Sequence, residues 1–312
     1  MKTLTELFTD IANALRDKKG TTEKIEALNF ASEIKNLSGG GGDSENNAII
    51  VVDGLKTNTN SSGSGNVLNQ LLEKIPLIDT SGWTSTAFLF YRCHLLKEIP
   101  QINTSKVTNM QSMFSECNSL SKLNLNFLDT SNVTNMQGMF NNAENLEELD
   151  IGSWDISKVT NFSTMFNFCV KLKKIIYGDF KTDSATNVNN MFSNTLIENG
   201  PKLKGDKLTN INGIFNSCST LTYWEGIENL GKAYTQKSKN FSTYTLSLSS
   251  SNNLTYTSLI NIINNLYDLN LSYDVSNGGT LYAQSLILGS TNLSKLTEEE
   301  IAIATAKGWN VS

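Results

Sequence analysis

Histidine is almost missing from this 312-residue chain: there is one, His94. A single imidazole cannot assemble a zinc site with nearby ligands, and no Ser or Cys stands in a recognisable nucleophile setting. Carboxylate pairs such as Glu147 and Glu148 lie side by side on one segment, not opposed across a cleft as glycoside hydrolysis requires. Gly63-Ser64-Gly65 lacks the third glycine and the strand–helix frame of a phosphate-binding loop. No catalytic, metal or cofactor site is therefore expected. There is no Lys/Arg cluster and the net charge is −5, which argues against nucleic acid or an anionic membrane as partner. No apolar run approaches the roughly 20 residues of a membrane-spanning helix. Met1 to Leu7 carries no apolar stretch of the secretory type, so export through a signal peptide is not expected.

What the chain has in abundance is one pattern repeated. Leu71-Leu-Glu-Lys-Ile-Pro76 returns as Leu95-Leu-Lys-Glu-Ile-Pro100. Val107-Thr-Asn-Met110 leads to Met113-Phe114, Val133-Thr-Asn-Met136 to Met139-Phe140, and Val159-Thr-Asn-Phe162 to Met165-Phe166. The anchor phenylalanine recurs at Phe90, Phe114, Phe140, Phe166, Phe192 and Phe215, in steps of 24, 26, 26, 26 and 23 residues. A period near 25 predicts a solenoid, in which no single rung buries its own apolar face. Such an architecture is a surface for binding more than a pocket for chemistry.

Aligned on the anchor, the rungs resolve into columns. Thr84, Thr108, Thr134, Thr160, Thr186 and Thr209 stand six before it, and Asn109, Asn135, Asn161, Asn187 and Asn210 five before it. Short polar side chains on every rung are what stacked turns need to satisfy buried backbone groups. Identical residues on every rung confer no selectivity, so turn chemistry is preferred to a recognition stripe. Met113, Met139, Met165, Met191 and Ile214 precede the anchor, while Leu120, Leu146 and Leu172, then Leu123, Leu149 and Ile175, follow it. Leu123-x-Leu125 and Leu149-x-Ile151 alternate as half-buried strands do, whereas Val107 to Phe114 has helical spacing. All four cysteines, Cys93, Cys117, Cys169 and Cys218, stand three after the anchor, where Ala143 and Thr195 serve in other rungs. The spacing is the repeat period and not a metal-binding one, so buried free thiols are expected. Trp83, Trp154 and Trp224 fall in apolar columns, which predicts core residues and not sugar-stacking platforms.

Asp129-Thr-Ser-Asn-Val-Thr-Asn-Met-Gln-Gly-Met-Phe140 resembles the repeat of BspA-like leucine-rich-repeat surface proteins, over about half of the chain. The resemblance implies a curved parallel sheet on the concave side and a role in adhesion or surface recognition, without naming a ligand. Two rungs depart from the pattern. The first lacks the Val and Asn, and the one after Phe192 reads Thr195-Leu-Ile-Glu-Asn-Gly-Pro201, where a bulge or bend is expected.

The flanks differ. Leu4, Leu7, Ile11, Ala14 and Leu15 line one helical face, with Phe30, Ile34 and Leu37 in a second short helix; a coiled-coil seam and a small helical hairpin both fit. Ile11 to Ile25 with Phe30 to Ile34 is similar to a leader of tail and baseplate proteins of phages infecting Gram-positive bacteria. That similarity implies a mount for other tail or baseplate proteins at residues 1–38, release by lysis, and a virion-tail location. Gly39-Gly-Gly-Gly-Asp-Ser44 is a flexible linker, and Ala48 to Val52 a short strand. Beyond Leu230 the repeat pattern stops. Thr257 to Leu269 has an amphipathic helical pattern, and Thr297-Glu-Glu-Glu300 is a capping box opening another helix that Lys307-Gly308 closes. Leu286 to Trp309 resembles a C-terminal module of phage tail-associated proteins.

The fold expected is an α/β solenoid: a leucine-rich-repeat-like right-handed coil of short parallel strands and helical turns. A helical module at 1–38, a linker with a short strand at 39–66, repeats at 67–230 and an α/β cap at 231–312 make up the chain. The function expected is a non-enzymatic tail-tip or receptor-binding protein that contacts host cell-surface polysaccharide or protein. Several copies, such as a trimer, would gain avidity. The alternatives are a bacterial adhesin of the BspA-like type and a purely structural baseplate component. The side chains left for recognition lie between the buried ones on the strands: Glu98, Lys122, Asn124, Glu148, Asp150, Lys174, Ile176, Tyr223 and Glu225.

Overall fold

The computed structural model describes residues 80–99, 101–235, 245–272 and 284–312. The expected helical module, the linker and the Leu71–Pro76 copy of the repeat lie outside the described residues. Within them, Ser85, Asn109, Asn135, Asn161, Asn187 and Asn210 pair in an unbroken run of parallel bridges. Six turns of chain therefore stack in register, one per anchor phenylalanine. The anchors form a single column of rings, with successive centroids 5.3–5.6 Å apart and planes within 16° of parallel. Trp224 closes the column edge-on against Phe215 at 4.7 Å.

The segment from Val107 to Phe114 is not helical, and neither is its counterpart in any described rung. The reason lies in where its N–H groups go. Thr86, Phe88, Phe90 and Arg92 donate to the carbonyls of Asn109, Gln111, Met113 and Ser115, each at 2.9 Å. Met110, Ser112, Phe114 and Glu116 repeat this onto the next rung. A helix keeps those bonds within itself; here every second one is spent between rungs. To aim alternate amides the same way, the backbone turns left-handed two before and two after each anchor. The residues concerned are Phe88 and Arg92, Ser112 and Glu116, Gly138 and Asn142, Thr164 and Phe168, Asn190 and Asn194, and Gly213 and Ser217. Only Gly and Asn adopt that conformation readily, so the rungs are held there by the ladder.

The polar columns behave as turn chemistry requires. The Oδ1 atoms of Asn109, Asn135, Asn161 and Asn187 each accept the N–H two residues on at 3.0 Å. The hydroxyls of Thr108, Thr134, Thr160 and Thr186 each donate to the equivalent carbonyl of the preceding rung. A further column escaped the sequence reading: Thr80, Thr104 and Thr130, ten before the anchor, are buried. They bond carbonyls of the following rung at 2.7–3.0 Å. All four cysteines are free and buried. Cys117, Cys169 and Cys218 donate from Sγ to the carbonyls of Phe90, Phe140 and Phe192 at 2.9–3.0 Å, and burial pushes each of these thiols up from its ordinary pKa.

The strand side is interrupted. β1 (Lys122–Asn124), β2 (Glu148–Ile151) and β3 (Lys174–Tyr177) form one parallel three-stranded sheet. β4 (Asn199–Gly200) pairs with β6 (Tyr223–Trp224), and β5 (Leu203–Lys204) with β7 (Ile227–Glu228), as two separate parallel pairs. The break falls in the rung after Phe192. Ile197, five after its anchor, is buried where other rungs bury a leucine six after, so this rung is one residue short. The shift places Gly200 beneath Trp224: a Cβ there would lie 2.8 Å from Phe215 Cζ and from Trp224 Cδ1. The indole, fully buried, donates to the Pro201 carbonyl at 2.8 Å. Trp154 is likewise buried, and Trp83 is half-buried against the core.

The stack also continues past Leu230. Leu248, Ser251 and Leu254 are buried at the spacings of Phe215, Cys218 and Leu221. Ser251 Oγ donates to the Phe215 carbonyl at 3.1 Å, as the cysteines do one rung earlier, and Thr255 N–H bonds Thr222 O at 2.8 Å. A seventh, disguised turn thus leads into the cap. β8 (Thr245–Ser247), β9 (Gln284–Ile287) and β10 (Trp309–Val311) make a second three-stranded parallel sheet in the order β10-β9-β8. Helix α1 (Tyr256–Asn265), capped by Thr255, seals the strand edge of the last rung. Ser258 Oγ there accepts from Trp224 N and donates to Trp224 O, both at 2.8 Å. After the short helix α2 (Ser290–Leu293), α3 (Glu298–Ala306) opens with the expected Thr297/Glu300 capping box. Gly308 follows it with φ +87°.

Candidate functional site

Six of the nine strand-face residues come together on β1–β3. Lys122, Glu148 and Lys174 stand in register across the three strands, and so do Asn124, Asp150 and Ile176. Alternation along each strand puts Leu123, Leu149 and Ile175 inward between them. The Lys122 Nζ lies 3.3 Å from Glu148 Oε1, with the two side chains 64% and 48% exposed. A pair so open to water holds little energy, so its charges remain available to a partner. Asn124 Nδ2 reaches Asp150 Oδ2 at 3.4 Å. The Gly152 N–H, 3.0 Å from Asp150 Oδ1, and the Asn126 amide hold the Asp150 carboxyl below the usual carboxylate range. Ile176 completes the row as an exposed apolar group.

The other three stand apart. Glu98 is exposed, but outside a named strand. Tyr223 sits on the separate β4–β6 pair and is half-buried, and Glu225 is half-buried beyond it. Among the described residues the nine do not share one continuous sheet. The short rung after Phe192 breaks the sheet, and α1 lies against the edge at Trp224 and Glu225, whose carbonyl accepts from Asn265 Nδ2 at 2.7 Å.

Sequence reasoning passed over exposed groups on and next to the anchor segments. Phe88, Phe168 and Val170 are each more than 40% exposed. The signal was present: at its column Phe168 stands where neighbouring rungs carry Asn142 and Asn194. Among the described residues no group of three or more His, Cys, Asp or Glu is placed to hold a metal ion. No helix among them is long and apolar enough to cross a membrane.

Residues 84–203 match a family described as "Mycoplasma protein of unknown function, DUF285". No curated protein matches the chain. Among solved structures, similarity extends to a leucine-rich cell surface protein from Faecalibacterium prausnitzii A2-165. The two are 24% identical over 45% of this chain and 35% of that one, with a TM-score of 0.34. A leucine-rich repeat protein from Bacteroides ovatus is 14% identical over 44% of this chain and 51% of its own, with a TM-score of 0.23. The chain thus spans about a third of the length of the first and about half of the second.

Proposed function

We propose that this chain is a non-enzymatic recognition protein of the leucine-rich-repeat solenoid type, acting as an adhesin at a bacterial surface. The observation that carries the reading is the β1–β3 face. There Lys122, Glu148, Lys174, Asn124, Asp150 and Ile176 project side by side from a scaffold whose inward residues repeat almost unchanged. Variation confined to the solvent side of a rigid lattice is what selective binding needs. The BspA-like repeat at Asp129–Phe140 points the same way. A tail-tip role rested on residues 11–34, outside the described region, and on the module at 286–309. None of the comparisons supports it, so the adhesin reading ranks ahead, and virion attachment and trimer formation are no part of it.

The test is binding of the fluorescently labelled full chain to a panel of bacterial and host cells. It is compared with a variant carrying K122E, E148K and K174E together. Selective binding to some cell types, lost in that variant at unchanged thermal stability, is expected. Binding to no cell type, or equal binding by the variant, would refute a role for this face.

A further inference from the structure

We propose that the anchor-bearing face is a second recognition surface, centred on Phe168, and that its ligand is a neutral glycan. This rests on the recognition reading above but concerns a different side of the stack. Three observations converge on it.

The first is charge. The exposed side of the anchor segments in the third to sixth rungs runs through 137–142, 163–168, 189–194 and 212–217. In a chain that is 18% charged overall, these four stretches contain no Asp, Glu, Lys or Arg. They carry amides instead, among them the half-buried Asn142, Asn167 and Asn194 and the exposed Asn212 and Asn216. Charge enters only at the border, where the exposed Glu144 and Lys171 lie on the rungs of Asn142 and Phe168; the stretches themselves offer an ionic ligand no counter-charge. Amides donate and accept at once, as the hydroxyls of an uncharged sugar require. The first two rungs differ: Arg92 and Glu116 occupy that column and pair with each other at 2.8 Å.

The second is the ring. Phe168 is 46% exposed and its backbone is left-handed, with φ 58°. A bulky aromatic in that conformation is an outlier, and an asparagine would relieve it. The ladder imposes that turn on every rung, so what sets Phe168 apart is an exposed aromatic ring where the adjacent rungs carry Asn142 and Asn194. Val170, 42% exposed, extends the apolar patch.

The third is the frame around it. The Phe168 N–H bonds Ser193 O at 3.0 Å, and Asn142 N–H bonds Asn167 O at 2.9 Å. Asn142 and Asn194 therefore flank the ring at one rung spacing on either side, about 4.8 Å, close to the width of a pyranose. Asn167 Nδ2 is fixed on Asn141 Oδ1 and Asn194 Nδ2 on Ser193 Oγ, each at 2.9 Å, which holds those amides in fixed orientations on the rungs around Phe168. An apolar platform bordered by oriented amides lets a sugar lay its C–H face on the ring while its hydroxyls are bonded at the rim.

The test uses the full chain on an array of neutral polysaccharides (dextran, mannan, galactan) and anionic ones (hyaluronate, heparin). Phe168→Asn is the informative variant, because it installs the residue that adjacent rungs carry and keeps the left-handed turn. Binding to at least one neutral glycan, insensitive to 0.5 M salt on the order expected for uncharged contacts, is predicted. Phe168→Asn should weaken it at least about ten-fold, the scale of one lost aromatic contact, with an unchanged or raised melting temperature. The K122E/E148K/K174E variant should bind the glycan as wild type does. No neutral glycan bound, only salt-sensitive anionic binding, or full binding by Phe168→Asn would each overturn the proposal. Phe168-dependent binding to cells with a blank array would overturn it too, in favour of a protein ligand. Glycan binding lost only in the strand-face variant would overturn this inference while leaving the recognition reading standing.

Discussion

Removing the hydroxyl of Tyr177 should make the protein more stable. Tyr177 ends β3 in a core column filled by Leu125 and Ile151 in the two preceding rungs. Its ring packs edge-on against Phe180 at 5.1 Å, but its buried oxygen has no hydrogen-bond partner. Leaving a polar group unpaired in the interior costs about 1–3 kcal/mol. Tyr177→Phe deletes that oxygen without changing the ring, so a gain of about 1–2 kcal/mol is expected at neutral pH. The pH dependence adds a second signature. Burial drives the phenol far above its ordinary value of 10.0. The unfolded chain then releases this proton above about pH 10 while the folded chain keeps it. Stability must fall with rising pH in that window, by about 1.4 kcal/mol per unit for one proton. Below pH 10 both states hold the proton and the term vanishes. The advantage of Tyr177→Phe should therefore widen by about 1 kcal/mol between pH 10 and 11. Urea unfolding followed by circular dichroism at pH 7, 10 and 11 measures both effects. A variant less stable than wild type at pH 7 would show that the hydroxyl is satisfied and refute the reasoning.

Two other substitutions probe how the rungs are held. A Cβ at Gly178 would fall 1.9 Å from the Gly152 carbonyl oxygen, a backbone atom that cannot swing aside. Gly178→Ala should thus cost about 2–3 kcal/mol, as overpacking does; a loss below about 0.5 kcal/mol in urea melts would mean that the two rungs separate easily there. Thr164 is β-branched and left-handed, with φ 55°, at the column where Gly138 and Gly213 serve other rungs. Thr164→Gly should relieve strain of about 1 kcal/mol net of the glycine's entropy, read as a higher urea midpoint with an unchanged slope; a lower midpoint would contradict the left-handed assignment.

The surface candidates were only partly legible in the chain. The alternation of Lys122, Asn124, Glu148, Asp150, Lys174 and Ile176 with more buried neighbours follows from a period of two, so their outward placement could be read in advance, although Asp150 is half-buried. Tyr223 and Glu225 obey the same pattern yet are half-buried, because α1 lies on that edge. Phe168 was visible as an aromatic in an asparagine column, but its exposure depends on how the anchor segment turns.

The period, the core columns, the asparagine and threonine turns and the Thr297 capping box were written in the sequence alone. Each expresses a local preference copied rung after rung, and copying makes a weak local signal strong. The tertiary structure decided the rest. Val107–Phe114 has helical spacing but forms no helix, since its amides bond residues one rung away along the chain. One missing residue after Phe192 breaks the sheet and sets Gly200 under Trp224. Leu248, Ser251 and Leu254 make a seventh turn that carries no repeat motif. In all three the deciding contact joins residues 23 or more positions apart, and its geometry exists only once neighbouring rungs have stacked.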